Sequence, residues 1–182
     1  YLQNLVDFGL IERVFPNMKF DVAGINRIGN SKMIKPILAW LLRDNPKLGT
    51  RLNALKYPSD ITFRVDFLSS LLTNFRMGGA VSNISGLTKA RDRFVDPSYA
   101  PEKQESMRAD IRADVQEFAR FAGGQIDTQR VQHFAQYQPP VISGEDLMKQ
   151  GFKGAAIGAE QNRLWGQHYD KSYQDFTGQG GV

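Results

Sequence analysis

Apolar residues recur along this chain at intervals of three and four, and the stripes they form predict helices. Leu2, Leu5, Val6 and Leu10 share a helical face that Val14 continues. Pro16 closes that segment, because proline lacks an amide donor and disfavours a helical residue before it. Asn26 to Asn30 contains Gly29 and reads as a loop. Met33, Ile34, Ile37, Leu38, Leu41 and Leu42 then give the clearest apolar face in the sequence. Ser31 is placed to cap that helix, Pro36 falls near its first turn, and Asn45-Pro46 ends it. Leu48, Leu52 and Leu55 predict a short helix finished by Tyr57-Pro58. With Ser59 as cap, Ile61, Val65, Leu68, Leu72 and Phe75 predict another, stopped by Gly78-Gly79.

From Ala80 to Pro101 no period is sustained, and Ser, Asn, Gly and Pro recur. This stretch, with Lys89, Arg91 and Arg93, reads as an irregular basic connector. Helical spacing resumes at Met107, Ile111, Val115, Phe118 and Ala122, with Asp110, Asp114 and Glu117 expected to face water. Gly123-Gly124 ends that helix. Asp127 or Thr128 caps the next, which turns Val131, Phe134 and Ala135 inward, and Gln138-Pro139-Pro140 is a stiff break. Two short helices follow, about 145–150 and 155–169, and a Gly-rich end from Thr177 to Val182 is expected to fray. No alternating strand pattern, heptad run or repeat emerges. The expected architecture is all-α, with about seven or eight short helices. They divide into a body block over 1–79, a connector over 80–101, and a second helical block with a smaller tail over 102–182.

Composition agrees with a packed domain: 41% of residues are hydrophobic and 23% charged. There is no cysteine, which excludes a disulfide framework or zinc ribbon, and a reducing cytoplasm is the expected compartment. No apolar run approaches the roughly 18 residues of a membrane span. The chain starts at Tyr1 with no signal-like segment after it, so a piece of a longer polypeptide is the expectation. The net charge is +4, but it is uneven. Between Lys19 and Lys56 stand eight bases (Lys19, Arg27, Lys32, Lys35, Arg43, Lys47, Arg51 and Lys56) against two acids, Asp21 and Asp44. Such a stretch fits a nucleic-acid backbone, and equally the solvated faces of ordinary helices.

Catalytic patterns are missing. No Asp-x-Asp or Glu-x-Asp pair occurs, whereas two-metal nucleotidyl transfer needs carboxylates close enough to bridge the ions. Asp110 and Asp114, one turn apart, read as helix surface. The two histidines, His133 and His168, lie on separate helices without ligand-like spacing. No phosphate-cradling P-loop or G-x-S-x-G is present. No catalytic and no metal-ligating residue is assigned.

One segment has a distinct layout: the run from Pro140 to Gly158. Ser143 caps a short helix, and Asp146 occupies the capping-box position. Leu147 and Met148 supply its buried side, and Gly151 ends it with a positive φ. Phe152 plugs the turn, Gly154 lets the backbone pass closely, and Ala155, Ala156 and Gly158 open a second helix with little bulk. Bare amides at such a start favour an anion, and Lys149 and Lys153 flank them. The alternative is a compact corner whose glycines serve packing alone.

This segment resembles the tail motif of the CCA-adding tRNA nucleotidyltransferase and poly(A) polymerase family. Pro140, Ser143, Gly144, Asp146, Leu147, Gly151, Gly154, Ile157 and Gly158 match in order, and Arg163-Leu164-Trp165 resembles the helix that closes those proteins. Gly9 to Pro16 is similar to the family's neck-to-body segment, and Leu55 to Ser59 to a step between body helices. The sequence departs at Lys153-Gly154-Ala155, where many relatives carry Pro-Gly-Pro. The resemblance implies that the intact protein adds C, C and A to tRNA 3′ ends with CTP, ATP and Mg²⁺. The catalytic head and its metal-binding acids would lie upstream of Tyr1, and this chain would bind no cofactor itself. Lys149, Lys153, Gly154 and Arg163 are then the expected tail contacts with tRNA, and Lys32, Lys35, Arg43 and Lys56 the body contacts. A free-standing helical adaptor for RNA or protein, or the same region of a poly(A) polymerase, are the other readings.

Overall fold

The computed structural model describes residues 2–178, and among them it is all-α, as the spacing predicts, with eleven helices and no sheet. The helices are α1 (Leu2–Asp7), α2 (Ile11–Val14), α3 (Ile25–Ile28), α4 (Ile34–Leu41), α5 (Leu48–Ala54), α6 (Ser59–Asn74), α7 (Ile84–Asp92), α8 (Pro101–Phe121), α9 (Thr128–Gln136), α10 (Gly144–Lys149) and α11 (Ala155–Gly178). The number exceeds the expected seven or eight for local reasons. Gly9 adopts φ +64°, which breaks the opening stripe into α1 and α2. The single-turn α3 overlaps most of the loop expected at 26–30, and Gly29 ends it.

The chief difference lies in 80–101, where no period is legible. A nine-residue helix, α7, occupies its middle, capped by the Asn83 side chain, which accepts from the Gly86 amide. Its buried face is polar as well as apolar: Ser85, Thr88 and Arg91 are buried beside Ile84 and Leu87. Thr88 Oγ1 donates to the Ile84 carbonyl and Arg91 Nη1 to the Phe134 carbonyl, so buried polarity is matched. Hydrogen-bonded polar residues thus complete a helix face that hydrophobic spacing alone does not reveal.

The core is one continuous cluster. Trp40, Phe75, Phe118, Phe121, Phe134 and Tyr137 are among its largest fully buried members, and Trp165 and Tyr169 bring α11 into it. Within it α4 packs on α6 and α8, α5 on α6, and α8 on α9. The tail helix α11 lies against α7 and α9 and carries α10 on its own first turns. Fully burying one large apolar side chain contributes about 1.5–3 kcal/mol, so this cluster dominates the stability.

Side-chain bonds to backbone tie the ends of elements together. Arg27 Nη1 donates to the Gly123 carbonyl past the end of α8 (2.7 Å), and Arg120 Nη2 donates back to Ile28 at the end of α3 (3.1 Å). The Trp40 indole N–H donates to the Gly24 carbonyl at 3.1 Å. Any side chain at Gly24 would collide with Asp21 and Trp40, so glycine is needed there. Asp114, expected on the water face of α8, is instead buried beside Arg64 of α6. Burial pushes its carboxyl above the ordinary range against the pull of the guanidinium. Ser31 and Ser59 do not cap as expected: Met33 and Pro58 precede α4 and α6, and neither gives a side-chain cap bond. The expected fraying from Thr177 onward falls partly on residues 179–182, outside the described residues; Thr177 and Gly178 are still helical.

Candidate nucleic-acid interface

The corner between α10 and α11 is built as its residues dictate. Ser143 is the N-cap of α10, its Oγ accepting from the Asp146 amide at 3.0 Å while donating to Asp146 Oδ2 at 2.6 Å. Leu147 is the buried anchor of α10, and Ile157 of α11 packs half-buried against Gly144. Gly151 takes φ +98° and Gly154 φ +54°. A Cβ at either would meet no atom within 4 Å, so backbone conformation, not crowding, accounts for these two glycines. Phe152, half-buried, donates its amide to the Leu147 carbonyl and folds the turn back over α10.

The turn stands open to solvent: Lys153, Gly154, Ala155 and Ala156 are all exposed. The amides of Ala156 and Ile157 donate to the carbonyls of Lys153 and Gly154 at 3.1 and 3.2 Å. The amides of Lys153, Gly154 and Ala155 have no partner among the described residues. Three successive amides without a partner, at an exposed turn with a left-handed glycine, leave N–H donors available to an anion's oxygens.

The cations expected here differ in availability. Lys153 is exposed and makes no ion pair among the described residues. Lys149 lies 3.0 Å from Glu145 and 4.0 Å from Asp146, a solvated pair that contributes little to stability and yields readily to a stronger anion. Arg163 is held by Glu160 through two bonds, 2.8 Å from Nε and 2.5 Å from Nη2, and the guanidinium keeps that carboxyl below the usual carboxylate range.

Of the body candidates, Lys32 and Lys56 are exposed and unpaired among the described residues, as are Lys19 and Lys47 of the same stretch. Lys35 pairs with Asp60 at 3.3 Å. Arg43 turns inward: it bonds Asp21, donates to the Trp40 carbonyl at 2.6 Å and lies 3.7 Å over the Trp40 ring. Arg51 likewise donates to the carbonyls of Pro46 and Asn17. In this stretch the arginines are spent on carbonyls, and the lysines other than Lys35 face water.

The tail is fixed to the body by polar and aromatic contacts that spacing does not announce. Asn162 of α11 accepts from the Ser85 amide and hydroxyl at 3.2 and 3.0 Å, satisfying the start of α7. Lys89 donates to Gln161 at 2.6 Å, and Gln161 donates to the Ile142 carbonyl at 3.0 Å. His133 is buried with neither ring nitrogen bonded and sits among the rings of Tyr137, Tyr169, Tyr173 and Phe176 at 5.1 to 6.0 Å. Desolvation lowers its pKa and pushes the Tyr137 hydroxyl up to about 12. That hydroxyl lies 2.9 Å from His168 Nδ1.

Among the described residues no group of three or more potential ligands is placed to hold a metal ion, and no helix is long and apolar enough to cross a membrane. Comparison with protein-family models, curated proteins and solved structures finds no match for this chain.

Proposed function

We propose that this chain is the tRNA-holding C-terminal part of a CCA-adding nucleotidyltransferase, gripping the RNA backbone while a head supplied elsewhere performs the chemistry. The observation that carries the reading is the open corner: three unpartnered amides in succession, a left-handed Gly154, and Lys153 free beside them. An anion docked there gains oriented N–H donors and a mobile positive charge without any contact to a base. Such contacts suit a polymerase that works without a template, because A-form RNA is recognised by shape and backbone. Lys149 joins once phosphate displaces its carboxylates, and Arg163 enters as a neutral pair with Glu160. Lys32 and Lys56 supply exposed charge on the body, whereas Lys35 and Arg43 would first have to leave their carboxylates.

The test is tRNA binding by the chain at several salt concentrations, alone and with Lys149→Glu and Lys153→Glu combined. Loss of two phosphate contacts weakens binding and lowers the slope of log affinity against log salt by about 1 to 2. Unchanged affinity together with an unchanged slope removes the corner from the interface.

A further inference from the structure

Where α7, α8 and α9 meet, the structure forms a polar pocket of about 230 Å³, partly open to solvent, that the corner does not share. Arg91 is its buried element, with its side chain only 7% exposed. Its Nε donates to Asp92 at 2.8 Å and its Nη1 to the Phe134 carbonyl at 2.6 Å, and its guanidinium lies 5.2 Å from the Phe134 ring centroid. Nη2 has no partner among the described residues. Arg108 and Arg112, one turn apart on α8, line the same space with Gln136 and Gln138. Glu105 holds Arg112 at 2.6 Å and Arg108 at 3.8 Å. With Asp92 and Glu105 counted, the three guanidinium groups leave one net positive charge.

We propose that this cavity binds a phosphate group, with Arg91 as the fixed donor and Arg112 and Arg108 closing over it as Glu105 gives way. Guanidinium forks match the oxygen spacing of phosphate, and an arginine held by protein acceptors at Nε and Nη1 is already fixed in place for such a partner. The space far exceeds the roughly 30 Å³ share of one water. Ile111 and Val95 line it as well, which lowers the local dielectric and strengthens each charged bond. Glu105 is mostly solvated, so its release to water costs little. The phosphate arrives either on a small molecule or as part of an RNA backbone.

The full chain is titrated with inorganic phosphate at constant ionic strength while the arginine Nε–H signals of Arg91, Arg108 and Arg112 are followed by NMR, with chloride as control. A saturable shift at Arg91 and Arg112 with phosphate alone is expected. Arg112→Gln, a partly exposed position, weakens it about tenfold without moving the unliganded thermal midpoint. Glu105→Gln tightens binding by removing the competing carboxylate, which a merely structural Arg112 would not do. No saturable shift, an equal response to chloride, or weaker binding in Glu105→Gln overturns the proposal. tRNA that displaces phosphate from these signals identifies the backbone as the source, and tRNA that leaves them unchanged identifies a small phosphate. The combined Lys149→Glu and Lys153→Glu variant retains the phosphate shift, so failure of the corner and failure of the cavity are read separately.

Discussion

Arg64 on α6 reaches Asp114 on α8 with a 2.5 Å bond, and both side chains are almost wholly buried. The guanidinium also lies 4.3 Å from the centroid of the Phe94 ring, just past α7, so one charge joins three parts of the chain. Removing one partner strands the other in a low-dielectric site. Asp114→Ala is expected to destabilise the fold by about 3–5 kcal/mol, whereas Arg64→Met with Asp114→Leu costs much less than the sum of the single changes. Urea unfolding of Asp114→Ala and of the four members of the Arg64→Met/Asp114→Leu cycle measures this. An Asp114→Ala loss below about 1 kcal/mol would show the pair to be dispensable, since that is the range of a solvated ion pair.

Acidification should loosen the tail. His133 has a pKa below its unfolded value, so the unfolded chain takes up a proton at higher pH than the folded one does. Stability from this residue is complete above the unfolded value of about 6.5 and declines as pH falls below it. Urea midpoints measured from pH 8 to pH 5 should show the decline, and His133→Phe should flatten that part of it. A variant retaining the full slope would assign the effect to other groups.

Gly154→Ala places a side chain on a left-handed backbone, which costs roughly 1–2 kcal/mol. Since nothing crowds the site, Gly154→Asn, a residue that tolerates this conformation, should recover part of the loss. Thermal midpoints of the two variants check the order. Equal midpoints would mean that the turn relaxes out of the left-handed form.

Ser143→Ala removes the N-cap of α10 at a cost of about 1 kcal/mol. The local readout is amide exchange at Leu147 and Met148, expected to accelerate about fivefold when opening is local. Unaltered exchange would indicate that α10 is held by Leu147 and Ile157 alone.

The long amphipathic elements were legible because their burial is apolar: α4, α6, α8 and α9 fall where Ile37, Val65, Val115 and Val131 recur at helical spacing. The corner was also legible, since Ser143, Gly151 and Gly154 have local meanings that tertiary context did not override. α7 was not, because Thr88, Ser85 and Arg91 look like surface residues until Phe134 and Asn162 supply their partners from elsewhere. For the same reason Asp114 read as solvated. Charge counting marks the 19–56 stretch as basic but does not separate Arg27, Arg43 and Arg51, which serve carbonyls, from Lys19, Lys32, Lys47 and Lys56, which face outward. The cavity beside Arg91 left no signal in the sequence, since its arginines come from helices that only the fold brings together.

α11 is one unbroken rod of 24 residues, seated near its middle by Trp165 and Tyr169. The corner at its start lies about 20 Å along the axis from Tyr169 at 1.5 Å per residue, so a tilt of roughly ten degrees about that seat displaces the corner by about 4 Å. Asn162 and Gln161, between that seat and the corner, oppose such a tilt through Ser85 and Lys89, so the corner keeps its distance from the aromatic packing around His133.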